Sequence, residues 1–569
     1  MNAKGLVKRT RFYQTLNHWR KCLLNADYRL RDRNAREIFD RFCALEGGLG
    51  LKQNLRTKGV KPKTALIVSQ YYLPFAGMEA LMMKALQMAG FETVVMGNRR
   101  YDFLRYGWLA GNKKVIEASD YKTKGETEWV DGQMGRLGTL QDWLSLEFQG
   151  VHVGRFTIAS ALRFLKVGQL DFTDPSVQAK LRILLENSVR HTMRTIEVLN
   201  EFKPDCILVM DRGYSGYGEV FDLAINRGID TLNWNLGYKS NRIVVKRYHS
   251  GNEREHPLSP AAESWQQLCS IPWRPEYGDS VREELFQCYE SQDWFSVVGT
   301  QFDKQILSRQ MTRQTLGLSS EKKVAVIFPH ILWDGSFWFG KDLFDDYTQW
   351  FVETIRAACA NSRLQWVVKL HPAHLVKAKQ GNDPGRPAEL NVIERSFGSL
   401  PDHVTLVFPD TGLSTFSLFE IADYAVTVRG TVGIEAALFG VPMVTAGTGR
   451  YDRRGFTLDS NTRQEYLHKL ENLETYPRLS KEQIELAERY AYGVFFCRPL
   501  SLSSVSLGYA RDGKATPKVT VHCQTRQQWL DSPDMRQLAD WIADGKAEDM
   551  LASIIPGGPK SLQKLKVRS

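Results

Sequence analysis

The feature that most constrains this chain is a cycle of short apolar run, helix, glycine and second apolar run, met on both sides of its middle. In the first set, residues 64–70 (TALIVSQ) read as a buried strand, residues 77–88 as a helix with Gly90 just beyond its end, and residues 92–96 (ETVVM) as the next strand. Strands that are apolar throughout are buried on both faces, and a helix between two of them makes the parallel crossover unit. The pattern returns as a helix over 187–201, a strand over 206–210 (CILVM), a helix over 219–226 and a strand from 231 to 234. A second set follows residue 320. Strands are expected at 324–328, 365–370, 404–408, 424–428 and 441–445, with helices at 345–360, 414–421 and 430–439 between them. The expected fold class is α/β, with two Rossmann-like doubly wound domains and a helical N-terminal extension. The expected divisions are a basic helical extension over 1–60, a first α/β domain over 61–310, a second over 320–480, and helices with a basic tail over 481–569. Residues 250–320 read as the link, and residues 101–180 show no clear period.

A chain of 569 residues is too long for one ordinary core, which agrees with two domains. No stretch reaches the roughly 18 unbroken apolar residues that a membrane span needs. The first residues carry neither an apolar core nor a small-residue cleavage site, so a cytoplasmic location is expected. The eight cysteines are scattered, and none forms a CxxC pair, which reads as reduced core cysteine rather than a disulfide frame or zinc site. The formal charge is +11, but no nucleic-acid motif accompanies it, and nucleic acid is not expected as a partner. Part of the excess lies at the ends. Residues 1–60 hold 14 Lys or Arg against 5 Asp or Glu, and the last ten residues hold four basic residues and no acid. Phe12, Leu16, Trp19 and Leu23 recur among those charges at helical spacing, a pattern suited to an anionic membrane surface and a peripheral location.

The chemistry-bearing residues cluster at predicted strand ends. Residues 427–442 (TVRGTVGIEAALFGVP) run from a buried strand through a tight turn into a helix. The free N–H groups of such a turn favour phosphate. Arg429 adds charge, Gly430 allows the turn, Thr431 adds a hydroxyl, and Glu435, one turn on, is placed to accept from a ribose or sugar hydroxyl. Lys369-Leu-His-Pro372 puts His371 at the end of another strand, where the imidazole can donate to phosphate or carry a proton. Asp211 opens the glycine-rich turn 211–218 (DRGYSGYG) behind a buried strand, and a carboxylate there can take a proton from an acceptor hydroxyl. His330 and Asp334 follow the first strand of the second set and are candidate sugar contacts. Arg450, Arg453 and Arg454 make a basic loop that could meet a donor phosphate or carboxylate. His374 lies three residues beyond His371, but no third ligand is apparent, so no metal site is expected.

Lys369-Leu-His-Pro372, followed by residues 427–444, Gly447 and residues 451–457, resembles the capsule polysaccharide biosynthesis family, which includes bacterial Kdo transferases. The order also resembles CDP-glycerol polyol-phosphate transferases and other GT-B enzymes. The resemblance covers 320–460 well and 200–240 in part. It implies a metal-independent glycosyltransferase with an N-terminal acceptor domain and a C-terminal nucleotide-sugar domain. His371, Thr431 and Glu435 carry over as nucleotide contacts. The family often has Asn-Ser where this chain has Arg429-Gly430, so the donor stays open. CMP-Kdo is the family's suggestion, as a co-substrate with no bound cofactor, beside UDP and GDP sugars. The expected partners are a nucleotide-sugar donor and a capsular or surface glycan, free or lipid-linked. The alternatives are a CDP-polyol phosphotransferase and a non-catalytic scaffold of capsule assembly or export.

Overall fold

The computed structural model describes residues 11–26, 28, 29, 33, 62–69, 73–97, 114–118, 125–295, 300–372, 386–509 and 517–553. In chain order the strands are β1 (Lys63–Ser69), β2 (Phe91–Gly97), β3 (Lys114–Glu117), β4 (Cys206–Val209), β5 (Asp230–Leu236), β6 (Arg242–Tyr248), β7 (Val324–Ile327), β8 (Gln365–Lys369), β9 (Val404–Val407), β10 (Tyr424–Thr427), β11 (Met443–Thr445), β12 (Thr457–Leu458), β13 (Leu500–Ser501), β14 (Val505–Tyr509) and β15 (Pro517–Val521). The first sheet runs β13-β6-β5-β4-β1-β2-β3 and the second β12-β11-β10-β7-β8-β9, while β14 and β15 form a separate hairpin. The second sheet is parallel throughout. The first is parallel from β3 to β5, with β6 and β13 antiparallel at its far edge. Both halves are therefore doubly wound α/β units, as the sequence pattern predicts.

The period-2 geometry of β1 explains why each face carries helices. Ala65 and Ile67 pack with Met78, Leu81, Met82 and Leu86 of the helix Leu73–Met88. Leu66 and Val68 point the other way, into the core formed with the helices Val153–Leu165 and Pro175–Phe202. In β7 the same alternation sends Val324 and Val326 to one core and Ala325 and Ile327 to another. In each sheet the chain winds outward in both directions from a central pair, β1 and β4 in the first and β7 and β10 in the second. The carboxyl ends of such pairs border the crevice where doubly wound sheets take their ligands.

Two regions differ from expectation. The tract 101–180, illegible in sequence, holds β3 and the helices Glu126–Met134, Leu140–Leu144 and Val153–Leu165 in its described part. The last segment holds strands as well as helices. After the helix Lys481–Tyr492 the chain returns to the first half, where β13 pairs with β6 and Leu538 and Ile542 join the core around Leu81. Buried Asp549 anchors this return, 3.3 Å from Lys246 and 3.0 Å from Arg498. Lys246 also pairs with Glu255 at 2.9 Å, and Arg498 donates to the Pro257 and Ser259 carbonyls at 2.8 and 2.7 Å. The helix Arg11–Leu24 leaves Leu16, Trp19 and Leu23 exposed. Among the described residues no helix is long and apolar enough to cross a membrane.

Candidate functional site

The residues picked out in sequence lie at the carboxyl ends of strands in both sheets. Asp211 comes two residues after β4. It sits partly buried, 3.6 Å from the Arg163 guanidinium, and accepts a 3.4 Å hydrogen bond from the Gly213 N–H. Burial pushes its carboxyl up from the usual range, and the Arg163 charge opposes that shift. The turn behind it is held by Glu219, which is fully buried and accepts from the Gly216 N–H and the Ser188 hydroxyl, both at 2.6 Å. Burial raises Glu219 to about 7. Arg212 is committed elsewhere, donating to the carbonyls of Glu253 and Glu255 and lying over Tyr248.

The same cluster reaches the second half. Tyr214 donates to Asp334 at 2.6 Å and accepts from the Gly335 N–H at 3.1 Å. Arg163 lies over the Tyr214 ring at 4.3 Å, with its Nε 4.0 Å from Asp334. Gly213 is obligatory here, because a Cβ would sit within 1.6 Å of the Trp338 indole. Asp211, Arg163, Tyr214 and Asp334 thus form one polar group across the two halves. Arg254 adds a strap by donating to the Gly340 carbonyl at 2.6 and 2.8 Å.

On the second sheet, His330 stacks on Tyr347 with ring centroids 4.9 Å apart and accepts from the Arg429 N–H at 3.3 Å. Burial and the charges of Arg429, His371 and Arg450 push its pKa well below the usual value, so it is neutral. His371 is partly buried just past β8. Lys369, the last residue of β8, is 3% exposed, and its ammonium has no hydrogen-bond partner among the described residues. Burial lowers its pKa to about 7, and Lys304 adds to the effect. Gly430 and Thr431 form a half-exposed turn between β10 and the helix Val432–Ala437. Arg450 braces that turn by donating to the Arg429 carbonyl at 3.0 Å and the Thr431 hydroxyl at 3.2 Å. Tyr451 donates to the Gly430 carbonyl at 2.7 Å. The expected basic loop is therefore partly structural.

Two expectations need correction. Arg429 is not open to a phosphate. It is 2% exposed, and its guanidinium pairs with Asp342 and donates to the Tyr347 hydroxyl at 3.2 Å and the Thr448 carbonyl at 3.1 Å. Glu435 is not open to a ribose. It is 1% exposed and accepts from the Tyr289 hydroxyl, and burial raises it to about 7. Their partners lie 87 and 146 residues away in sequence, so neither pairing has a local signature. Arg163, Tyr347, Asp342 and Arg254 carry no local signature in the sequence either. Tyr214 lies inside the glycine-rich turn already noted, and its aromatic ring between glycines was a usable signal. His374 lies outside the described residues.

No protein-family model and no curated protein matches the chain. Among solved structures, it is similar to two KpsC transferases of Thermosulfurimonas dismutans. The β-Kdo 2,4-transferase is 13% identical with a TM-score of 0.32, over 54% of this chain and 88% of that one. The β-Kdo 2,7-transferase is 12% identical with a TM-score of 0.32, over 57% and 86%. It is also similar to the UDP-GlcNAc 2-epimerase of Neisseria meningitidis bound to UDP-GlcNAc, at 13% identity and a TM-score of 0.26, over 76% and 96%.

Proposed function

We propose that this chain is a metal-independent glycosyltransferase that moves a sugar from a nucleotide-sugar donor to a bacterial capsular or surface glycan. The observation that carries the reading is the polar group shared between the halves: Asp211 of the first and Asp334 of the second both lie within 4 Å of Arg163. In this reading a proton acceptor on the first sheet faces a donor held at the strand ends of the second. His371 and the turn at Gly430 and Thr431 meet the donor phosphates, and Lys369, as buried as Arg429 but without a hydrogen-bond partner among the described residues, reaches them with its ammonium. His330 and Asp334 meet the sugar. Arg429 and Glu435 act as positioning residues that fix the turn from behind. Asp211, its carboxyl raised by burial, takes the acceptor hydroxyl proton as that oxygen attacks the anomeric carbon. The bond from that carbon to the phosphate oxygen breaks, and the nucleotide leaves with inversion.

The helix Arg11–Leu24 suits an anionic inner-membrane surface, with Leu16, Trp19 and Leu23 exposed and no acid in its sequence. A lipid-linked acceptor and a peripheral cytoplasmic location go with that placement. The test is product analysis with CMP-Kdo, UDP and GDP sugars and a capsular glycan acceptor. A new glycosidic bond with stoichiometric nucleotide release supports the proposal. A phosphodiester product with CMP release from CDP-glycerol replaces it with polyol-phosphate transfer. Release of no nucleotide from any donor refutes it.

A further inference from the structure

A cavity of about 640 Å³ lies between the halves, lined by none of the strand-end residues described above. One wall comes from the first half, including Leu140, Leu144, Ile158 and Leu162, and the other from Phe337, Asp345, Asp346 and Gln349 of the second. The volume is that of a small-molecule site. Its floor is closed where Gly168 meets the second half, since a Cβ there would lie 2.1 Å from the Thr348 hydroxyl and 2.8 Å from Leu332. Gln169 spans the gap by donating to Asp346 at 3.1 Å.

The lining selects its ligand by charge. Among the described residues it holds two carboxylates, the amides of Gln141, Gln169 and Gln349, and the Thr139 hydroxyl, but no lysine or arginine. Arg463 donates to Gln349 at 2.7 Å and lies 3.7 Å from Asp345. A phosphate or a uronic acid would meet two carboxylates there, with only Arg463, at Asp345, to offset them. Amides and carboxylates set against aliphatic walls, Phe172 and Phe337 instead suit a ligand with many hydroxyls and apolar C–H faces. Phe337 is held at φ 72°, a left-handed conformation that costs a bulky residue energy. This conformation sets Phe337, three residues beyond Asp334, in the cavity wall.

We infer that this cavity binds a neutral oligosaccharide segment, gripping it from both halves at once. The cavity and the Asp211 cluster share the helix Val153–Leu165, through Leu162 in the wall and Arg163 beside Asp211, which makes a glycan seated here a candidate acceptor. Its identification as part of the acceptor rests on the glycosyltransferase reading, whereas saccharide binding itself does not.

The experiment probes the full-length protein on a printed array of neutral and acidic glycans, then titrates the best-retained neutral glycan into wild type, Gln141→Ala/Gln169→Ala and a cavity-filling Leu140→Trp. Retention of neutral over acidic glycans is expected. Two neutral hydrogen bonds contribute about tenfold in affinity, so the double variant should bind about tenfold more weakly, and Leu140→Trp should not bind measurably. The melting shift with nucleotides should be unchanged in the double variant. Retention of acidic glycans alone, of none, or equal affinity in the double variant overturns the inference. Glycan binding without any nucleotide response would keep the cavity assignment and remove the glycosyltransferase reading.

Discussion

Lys369 offers a test that needs no substrate. Its ammonium is buried at the end of β8 without a hydrogen-bond partner among the described residues, and burial brings its pKa from 10.5 to about 7. The unfolded chain keeps that proton up to pH near 10.5, whereas the fold releases it near 7. Between these values the unfolded state binds more protons, so stability rises with pH. At about 1.4 kcal/mol per tenfold of proton affinity, the lysine costs the fold about 4 kcal/mol at pH 7. Lys369→Met keeps much of the length and removes the charge. Urea unfolding of both proteins should find the variant more stable at pH 7. The gap should close by about 1.4 kcal/mol per pH unit from about 7.5 to 9.5, and it should be flat below pH 6. A phosphate ligand would return the proton to Lys369. The stabilisation of wild type by CDP should therefore fall as pH rises through 7, and the variant should show little of it. Parallel pH curves for the two proteins would mean that Lys369 does not release its proton on folding.

Asp211→Asn should lower turnover by roughly 10²–10⁴-fold with donor affinity little changed, because Asn accepts a hydrogen bond but no proton. Its melting temperature should match wild type, since Asn tolerates the turn. Near-normal turnover at saturating substrates would move the base elsewhere. His371→Ala should weaken donor binding roughly ten- to a hundredfold by titration, the effect of losing a charge-assisted hydrogen bond of about 1.5–3 kcal/mol. Deleting residues 1–24 should reduce co-sedimentation with anionic vesicles at low salt, and salt should mimic the deletion. Equal sedimentation of both proteins would leave the exposed Leu16, Trp19 and Leu23 unexplained.

The architecture was legible because its signals are local. Apolar runs such as 64–70 and 324–328 are buried on both faces, and their period and flanking glycines mark parallel strands. The strand-end residues His330, His371, Gly430 and Thr431 were legible for the same reason. The electrostatic state of the site was not. Arg429 looks available in sequence, and only folding brings Asp342 and Tyr347 onto it. Glu435 has the spacing of an exposed helical acid, yet Tyr289 of the linking helix Pro275–Glu290 closes over it. Arg163 sits in a tract whose helices bury residues around much of their surface, as in Val153–Leu165 with eight buried residues, which blurs the helical period. The antiparallel return of β13 depends on contacts more than 250 residues apart, between Leu500 and Ile243, which no local pattern encodes.

The proposed transferase holds its nucleotide on the second sheet, at the ends of β7, β8 and β10. Thermal melts of wild type and His371→Ala against CMP, CDP, UDP and GDP test it most directly, because a ligand that binds only the native state raises the midpoint. Wild type should show a concentration-dependent rise with at least one of these nucleotides, much reduced in His371→Ala. No shift with any of them at millimolar concentration, or an equal shift in both proteins, would contradict it.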